Sequence, residues 1–95
     1  MVYKILFTED SLADLESILD YIRADNPGAA NRFGAALLNH IELLQNFPRI
    51  GVPVWGTEDT RKLIHAPITV YYRIKGSGMI EVLRIWHTSR DLPRF

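Results

Sequence analysis

The sequence predicts an α+β fold: a two-layer sandwich with an N-terminal strand, an antiparallel helix hairpin and a C-terminal three-stranded antiparallel sheet, in the order β-α-α-β-β-β. Three observations predict it. Residues 2–7 alternate in the manner of a strand. Two stretches, from Leu12 to Ile22 and from Ala30 to Leu44, carry apolar residues at spacings of three and four. The run from Ile68 to Arg90 then holds two β-rich segments around Gly76-Ser77-Gly78.

The opening strand places Tyr3, Ile5 and Phe7 on one side. Thr8 or Asp10 caps the helix that follows, and the acids next to them suit the positive end of its dipole. Leu12, Leu15, Ile18, Leu19 and Ile22 form its apolar stripe, ending near Ala24. Asn26-Pro27 restarts a helix, with Asn as cap and Pro in the first turn, where its missing N–H costs nothing. Ala30, Phe33, Leu37, Ile41 and Leu44 line the second helix, and Leu38 and Phe47 widen its stripe. So short a connection makes the two helices antiparallel neighbours.

Pro48 and Gly51 end the second helix. Ile50 to Thr60 reads as loop, in which the position of Trp55, covering the core or exposed, stays open. Arg61 to His65 reads as a strand, and Pro67 separates it from the hairpin. A two-residue loop at Ser77-Gly78 sets Gly76 opposite Met79. One hairpin face then carries Ile68, Val70, Tyr72 and Ile74 beside Leu83, Ile85 and His87. The other carries Thr69, Tyr71 and Arg73 beside Val82, Arg84 and Trp86. A three-residue loop would bury Arg84 among aliphatic residues without an obvious partner, so the first register is preferred.

Ninety-five residues make one domain, spanning 1–95, with a single modest core. The absence of cysteine rules out disulfides and thiolate chemistry and fits a reducing cytoplasm. The first apolar run is too short for a signal peptide or a membrane span. Net charge is zero but unevenly spread. Residues 9–26 hold six acids against one base, and residues 61–95 hold seven bases against two acids. This dipolar surface predicts a basic end that meets an acidic partner.

The ordered motifs resemble those of the RelE/ParE toxin superfamily over nearly the full length. They are D-L-x-x-I-x-x-Y-I from Asp14 to Ile22, Ala29-Ala30-x-x-Phe33, L-x-x-x-P-x-x-G from Leu44 to Gly51, Arg61-Lys62-Leu63, Y-x-I at Tyr72 to Ile74, and I-x-H-x-x-R-D at Ile85 to Asp91. The set is more similar to the ParE branch than to the RelE branch. The resemblance implies the toxin of a bacterial type II toxin–antitoxin module, with a plasmid-stabilisation type of role. It implies inhibition of DNA gyrase by binding and neutralisation by a cognate antitoxin, ParD-like or other, that folds as it binds.

The competing expectation is a ribosome-dependent mRNA endoribonuclease of RelE type. It would need an acid, a base and cations for the pentavalent phosphate, with Lys62, Arg73, His87 and Arg90 as the working groups. The chain departs from that pattern: Thr69 stands where RelE-like sheets place an arginine, and the tail ends in Phe95, which has no hydroxyl. A net charge of zero also argues against direct nucleic-acid binding.

The partner-binding residues expected are Arg61, Tyr71, Arg73, Arg84, Trp86 and Arg90, since arginine and aromatic residues dominate interface hot spots. Arg61 and Arg90 have an alternative, holding the C-terminal turn through Asp91 or a backbone carbonyl. His87 is expected at the helix side of a strand end, held by a backbone carbonyl. His40 and His65 lack metal-site spacing and read as bystanders, so no metal or cofactor is predicted. The acids Asp10, Asp14, Glu16 and Asp20 read as a solvated helix face.

Overall fold

The computed structural model describes residues 2–90 and 92–93. Its elements are β1 (Lys4–Phe7), α1 (Glu9–Asp25), α2 (Pro27–Glu42) with a closing 3-10 turn at Leu43–Gln45, β2 (Val52–Pro53), β3 (Thr60–His65), β4 (Ile68–Lys75) and β5 (Met79–His87). The strands form one mixed sheet of order β1-β5-β4-β3-β2. β1 runs parallel to β5 and the remaining pairs are antiparallel. The α+β order is as expected, with one addition: two residues of the predicted 50–60 loop pair with β3 as a short edge strand.

The helix hairpin is organised by its caps. Thr8 accepts a hydrogen bond from the Ser11 amide at 3.1 Å and donates its hydroxyl to the Leu83 carbonyl at 3.0 Å. One side chain thus starts α1 and ties it to β5. Thr8→Ala is expected to cost about 1–2 kcal/mol in urea unfolding, the upper part of the range for a lost N-cap. Asn26 serves both helices: its N–H closes α1 on the Ile22 carbonyl, and its side chain accepts from the Ala29 amide that opens α2. Gly34 lies against Leu19, where an added Cβ would come within 3.4 Å of a methyl group, so the helices cross closely.

The core joins Leu37, Ile41 and Leu44 to Leu63, Ile68, Val70, Tyr72, Ile80, Val82 and Ile85. Leu12 and Leu38 are exposed instead of extending the helical stripes, because they lie off the sheet-facing side, and Phe47 is exposed because α2 ends at Glu42 and its 3-10 turn at Gln45, before that residue.

The hairpin register is the main correction. The loop has three residues, with Lys75 opposite Met79, and Gly76 supplies the positive φ of 62°. The pairing then shifts at a β-bulge: Tyr72 faces Val82 while Tyr71 faces Arg84, leaving Leu83 as the extra residue. Both rival registers are therefore used, one on each side of the bulge. Val82, expected on the outer face, is fully buried in the core, and Leu83, expected in the core, is half-buried. Ile68, Val70, Tyr72 and Ile85 face the helices as expected.

Candidate functional site

β5 extends beyond the end of β1. Phe7 is the last paired residue of β1, opposite Val82, after which the chain turns into α1. The uncovered edge of β5 is completed by a side chain. Asp14 Oδ2 accepts the Ile85 amide at 3.0 Å and Arg84 Nε at 2.7 Å, and its Oδ1 accepts the second guanidinium nitrogen at 2.8 Å. The carboxylate thus does the work of a strand carbonyl while neutralising a cation beside the bulge. Both partners are largely covered, Arg84 at 21% and Asp14 at 13% side-chain exposure. The hydrogen bond to Asp14 holds the Arg84 guanidinium above its ordinary pKa, against the opposing effect of burial. This corrects the sequence reading of Asp14, which is a structural ligand rather than a solvated acid, and it shows that Arg84, expected to face outward, reaches the helix layer.

Of the other expected partner-binding residues, Tyr71, Arg73 and Trp86 share the outer sheet face as the sequence register has it, and Arg61 does not. Arg61 lies on the helix side of β3 and donates to the carbonyls of Gly51 at 2.8 Å and Arg49 at 3.4 Å. These carbonyls belong to the segment after α2, not to the C-terminal turn that the sequence suggested. Tyr71 is buried on the outer sheet face, as is its neighbour Thr69, whose hydroxyl meets that of Thr88 at 2.9 Å. Burial raises the Tyr71 pKa. The expected exposed aromatic face is therefore absent, since both faces of β4 are covered from Ile68 to Tyr72. Pro93 is buried as well. Arg73 pairs across the ribbon with Glu81 at 2.6 Å. Trp86 is half-buried, with the guanidinium carbons of Arg84 and Arg90 at 4.6 and 4.3 Å from its ring centre.

Arg90 is exposed and borders an apolar groove of about 570 Å³. α1 supplies Ser17, Ile18, Tyr21 and Ile22 to its wall, and α2 supplies Phe33. Pro67 and Ile68 form its floor at the start of β4, and His87 lies with Arg90 at its end. The α1 residues share one side because positions one turn apart project together. Tyr21 is 85% exposed at this edge. The sequence placed Ile18 and Ile22 in the core stripe and counted Tyr21 only as part of a family motif, not as a site residue. The available signal was an aromatic one turn beyond Ser17-Ile18, a surplus at the margin of the stripe.

The residues expected of a ribonuclease are dispersed. Lys62, opposite Tyr71, and Arg73 share the outer sheet face, whereas His87, opposite Ile68, lies on the helix side. Five positions along β4 separate Ile68, the partner of His87, from Arg73 itself, about 16 Å along a strand. His87 takes Ser89 as its partner, Oγ to Nδ1 at 2.7 Å, rather than a backbone carbonyl. Asp91, Arg94 and Phe95, which the resemblance brought into consideration, lie outside the described residues.

His40 and His65, far apart in sequence, meet in the fold. Their Nδ1 atoms are 2.8 Å apart, and Phe33 meets His65 edge-on with ring centres 5.6 Å apart. Burial first, then His40, lowers the His65 pKa. Among the described residues, no group of three or more His, Cys, Asp or Glu could hold a metal ion, and no helix is long and apolar enough to cross a membrane. Trp55 is 95% exposed, which closes the alternative left by its spacing.

Comparison with known proteins agrees with this architecture. A family model described as the ParE toxin of the type II toxin–antitoxin system parDE matches residues 5–92. Toxin RelE2 of Caulobacter vibrioides is 31% identical over 87 residues, covering 92% of this chain and 97% of that protein. A putative toxin, Y4kP of Sinorhizobium fredii, is 32% identical over 93 residues, covering 96% and 94%. Among solved structures, the chromosomal ParDE system of P. aeruginosa superposes with a TM-score of 0.80 at 23% identity, covering 93% of this chain and 98% of that one. The RelBE2 toxin–antitoxin complex of Mycobacterium tuberculosis superposes with a TM-score of 0.66 at 21% identity, covering 92% and 99%.

Proposed function

Since the chain belongs to the ParE toxin family of type II toxin–antitoxin systems, we propose that it acts by binding rather than by catalysis, with DNA gyrase as its target and a cognate antitoxin as its inhibitor. The observation that carries this reading is the groove between α1, Phe33 and the end of the ribbon, apolar along its walls and bordered by Arg90. An antitoxin segment that orders on binding would lay an apolar stripe there and set an acid against the guanidinium. The similarity to solved toxin–antitoxin complexes supports such a partner. Catalysis is disfavoured because Lys62 and Arg73 lie on one sheet face while His87 lies on the other.

The Arg84–Asp14 pair makes Arg84 a poor probe of binding, since its loss would disturb the fold. Tyr21 and Arg90 are both exposed and suit the purpose. Tyr21→Ala with Arg90→Glu is expected to weaken cognate antitoxin binding about 100-fold by calorimetry, as for two hot-spot residues of moderate weight. Unchanged affinity would remove the groove from the antitoxin interface. For the target, purified protein should block gyrase supercoiling while translated messages stay intact. Codon-linked cuts in primer extension after induction would instead establish the ribonuclease.

A further inference from the structure

Behind Phe33, two imidazoles meet head-on. The Nδ1 atoms of His40 and His65 are 2.8 Å apart and the ring centres 5.1 Å apart. The centre separation is the nitrogen separation lengthened by the two ring radii, so the nitrogens point at each other. At this distance one Nδ1 donates and the other accepts, and only one hydrogen lies between them. The pair can carry a single positive charge with the bond intact, because a ring protonated at Nε2 still donates through Nδ1. A second proton must go onto the accepting Nδ1. Two N–H groups and two positive charges then face each other, and the contact opens.

We propose that this pair is a proton-operated latch between α2 and β3, closed near neutral pH and opened by the second proton, that holds the Phe33 wall of the groove in place. Phe33 stands edge-on to His65 and also lines the groove, so movement of His65 reaches the groove through one aromatic contact. The surroundings offer the second proton little compensation. From β4, the residue paired with His65 is the buried, apolar Ile68, and His87 lies beyond it in the same row. The other charged residues of the two latched elements are Arg32 and Glu42 on α2 and Arg61 and Lys62 on β3; Arg61 is engaged by the Gly51 carbonyl, and Lys62 lies on the opposite sheet face. The charge that acts on His65 is that of His40.

The sign follows from the direction of the shift. His65 binds its proton less readily in the folded chain than in the unfolded one. The latch's contribution to stability is therefore fully present above the ordinary histidine pKa of about 6.5, and it is lost as pH falls below that value.

The proposal concerns the free chain and stands whether or not an antitoxin fills the groove. The test is an NMR titration of the imidazole nitrogens of the wild-type protein from pH 8 to pH 4.5. His40 and His65 are expected to titrate as a coupled pair, with proton affinities for the two steps at least about tenfold apart. The Phe33 ring resonances should move with the second step. Independent titration of both rings near the ordinary value, or a Phe33 ring unmoved through the second step, would overturn the latch. A second measurement uses His65→Asn, which cannot titrate. Its urea midpoint should fall less than that of wild type between pH 7 and pH 5, and an equal fall would count against the proposal.

Discussion

Asp14→Ala is expected to be the most damaging single substitution on the surface of α1, lowering unfolding free energy by about 3 kcal/mol in urea titration. The figure is the lower end of the range for breaking a buried ion pair, as suits partners that retain some solvent contact. Two losses contribute. The Arg84 guanidinium keeps its covered position without a counter-charge, and the Ile85 amide loses its acceptor. Asp14→Asn separates them, because its side-chain oxygen can still accept from Ile85 while the charge is gone; about half of the loss should remain. Asp14→Leu combined with Arg84→Met removes the charge problem altogether. It should recover part of the stability but leave a deficit of about 1–3 kcal/mol for the unpaired amide. Full recovery in that double variant would show that the Ile85 contact contributes nothing.

Gly51→Ala should come close to this effect for a different reason. A Cβ at Gly51 would sit 2.7 Å from the Lys62 carbonyl oxygen and 2.7 Å from both the Cε1 and hydroxyl of Tyr72. One of these neighbours is backbone within a sheet, and the other is the largest fully buried side chain of the core. Tyr72 also cannot retreat without cost, since its hydroxyl accepts the Gly51 amide at 3.0 Å and donates to the Pro48 carbonyl at 2.7 Å. Burial raises the Tyr72 pKa, outweighing that amide contact, so the hydroxyl is protonated and able to donate. The expected loss is about 3 kcal/mol or more, at the top of the overpacking range. Tyr72→Phe, which removes the hydroxyl but adds no bulk, should lose about 1–3 kcal/mol by stranding the Gly51 amide. A Gly51→Ala variant as stable as wild type would mean that the 48–52 segment shifts freely, contrary to its anchoring by Tyr72 and Arg61.

These two positions also show where sequence reading succeeded and where it stopped. Gly51 was read as helping to end a helix that in fact closes earlier, at Glu42 with a 3-10 turn to Gln45, and it was not readable as a close-approach point, because the atoms it must avoid come from residues 11 and 21 positions away. Asp14 looked like one acid in a helical run of acids. Nothing local distinguishes it from Glu16, and its partner is 70 residues distant. The helix caps at Thr8 and Asn26 were readable because a cap needs only its own three neighbours. The groove was half readable: Ile18, Ile22 and Phe33 appeared as apolar stripe residues, but an opening is a property of how elements fail to fill the space between them.

The chain's own order of residues determined its strand, paired helices and closing ribbon, along with membership of a toxin family, since periodicity and short motifs act over a few residues. Tertiary structure alone decided the bulge at Leu83, the ties from Asp14 to Arg84 and from His40 to His65, and which arginines stay available to a partner. The physical reason is that hydrogen bonds and charge pairs are selected by distance in space. Only the folded chain brings Asp14 to the open edge of β5, where both an amide and a guanidinium need an acceptor.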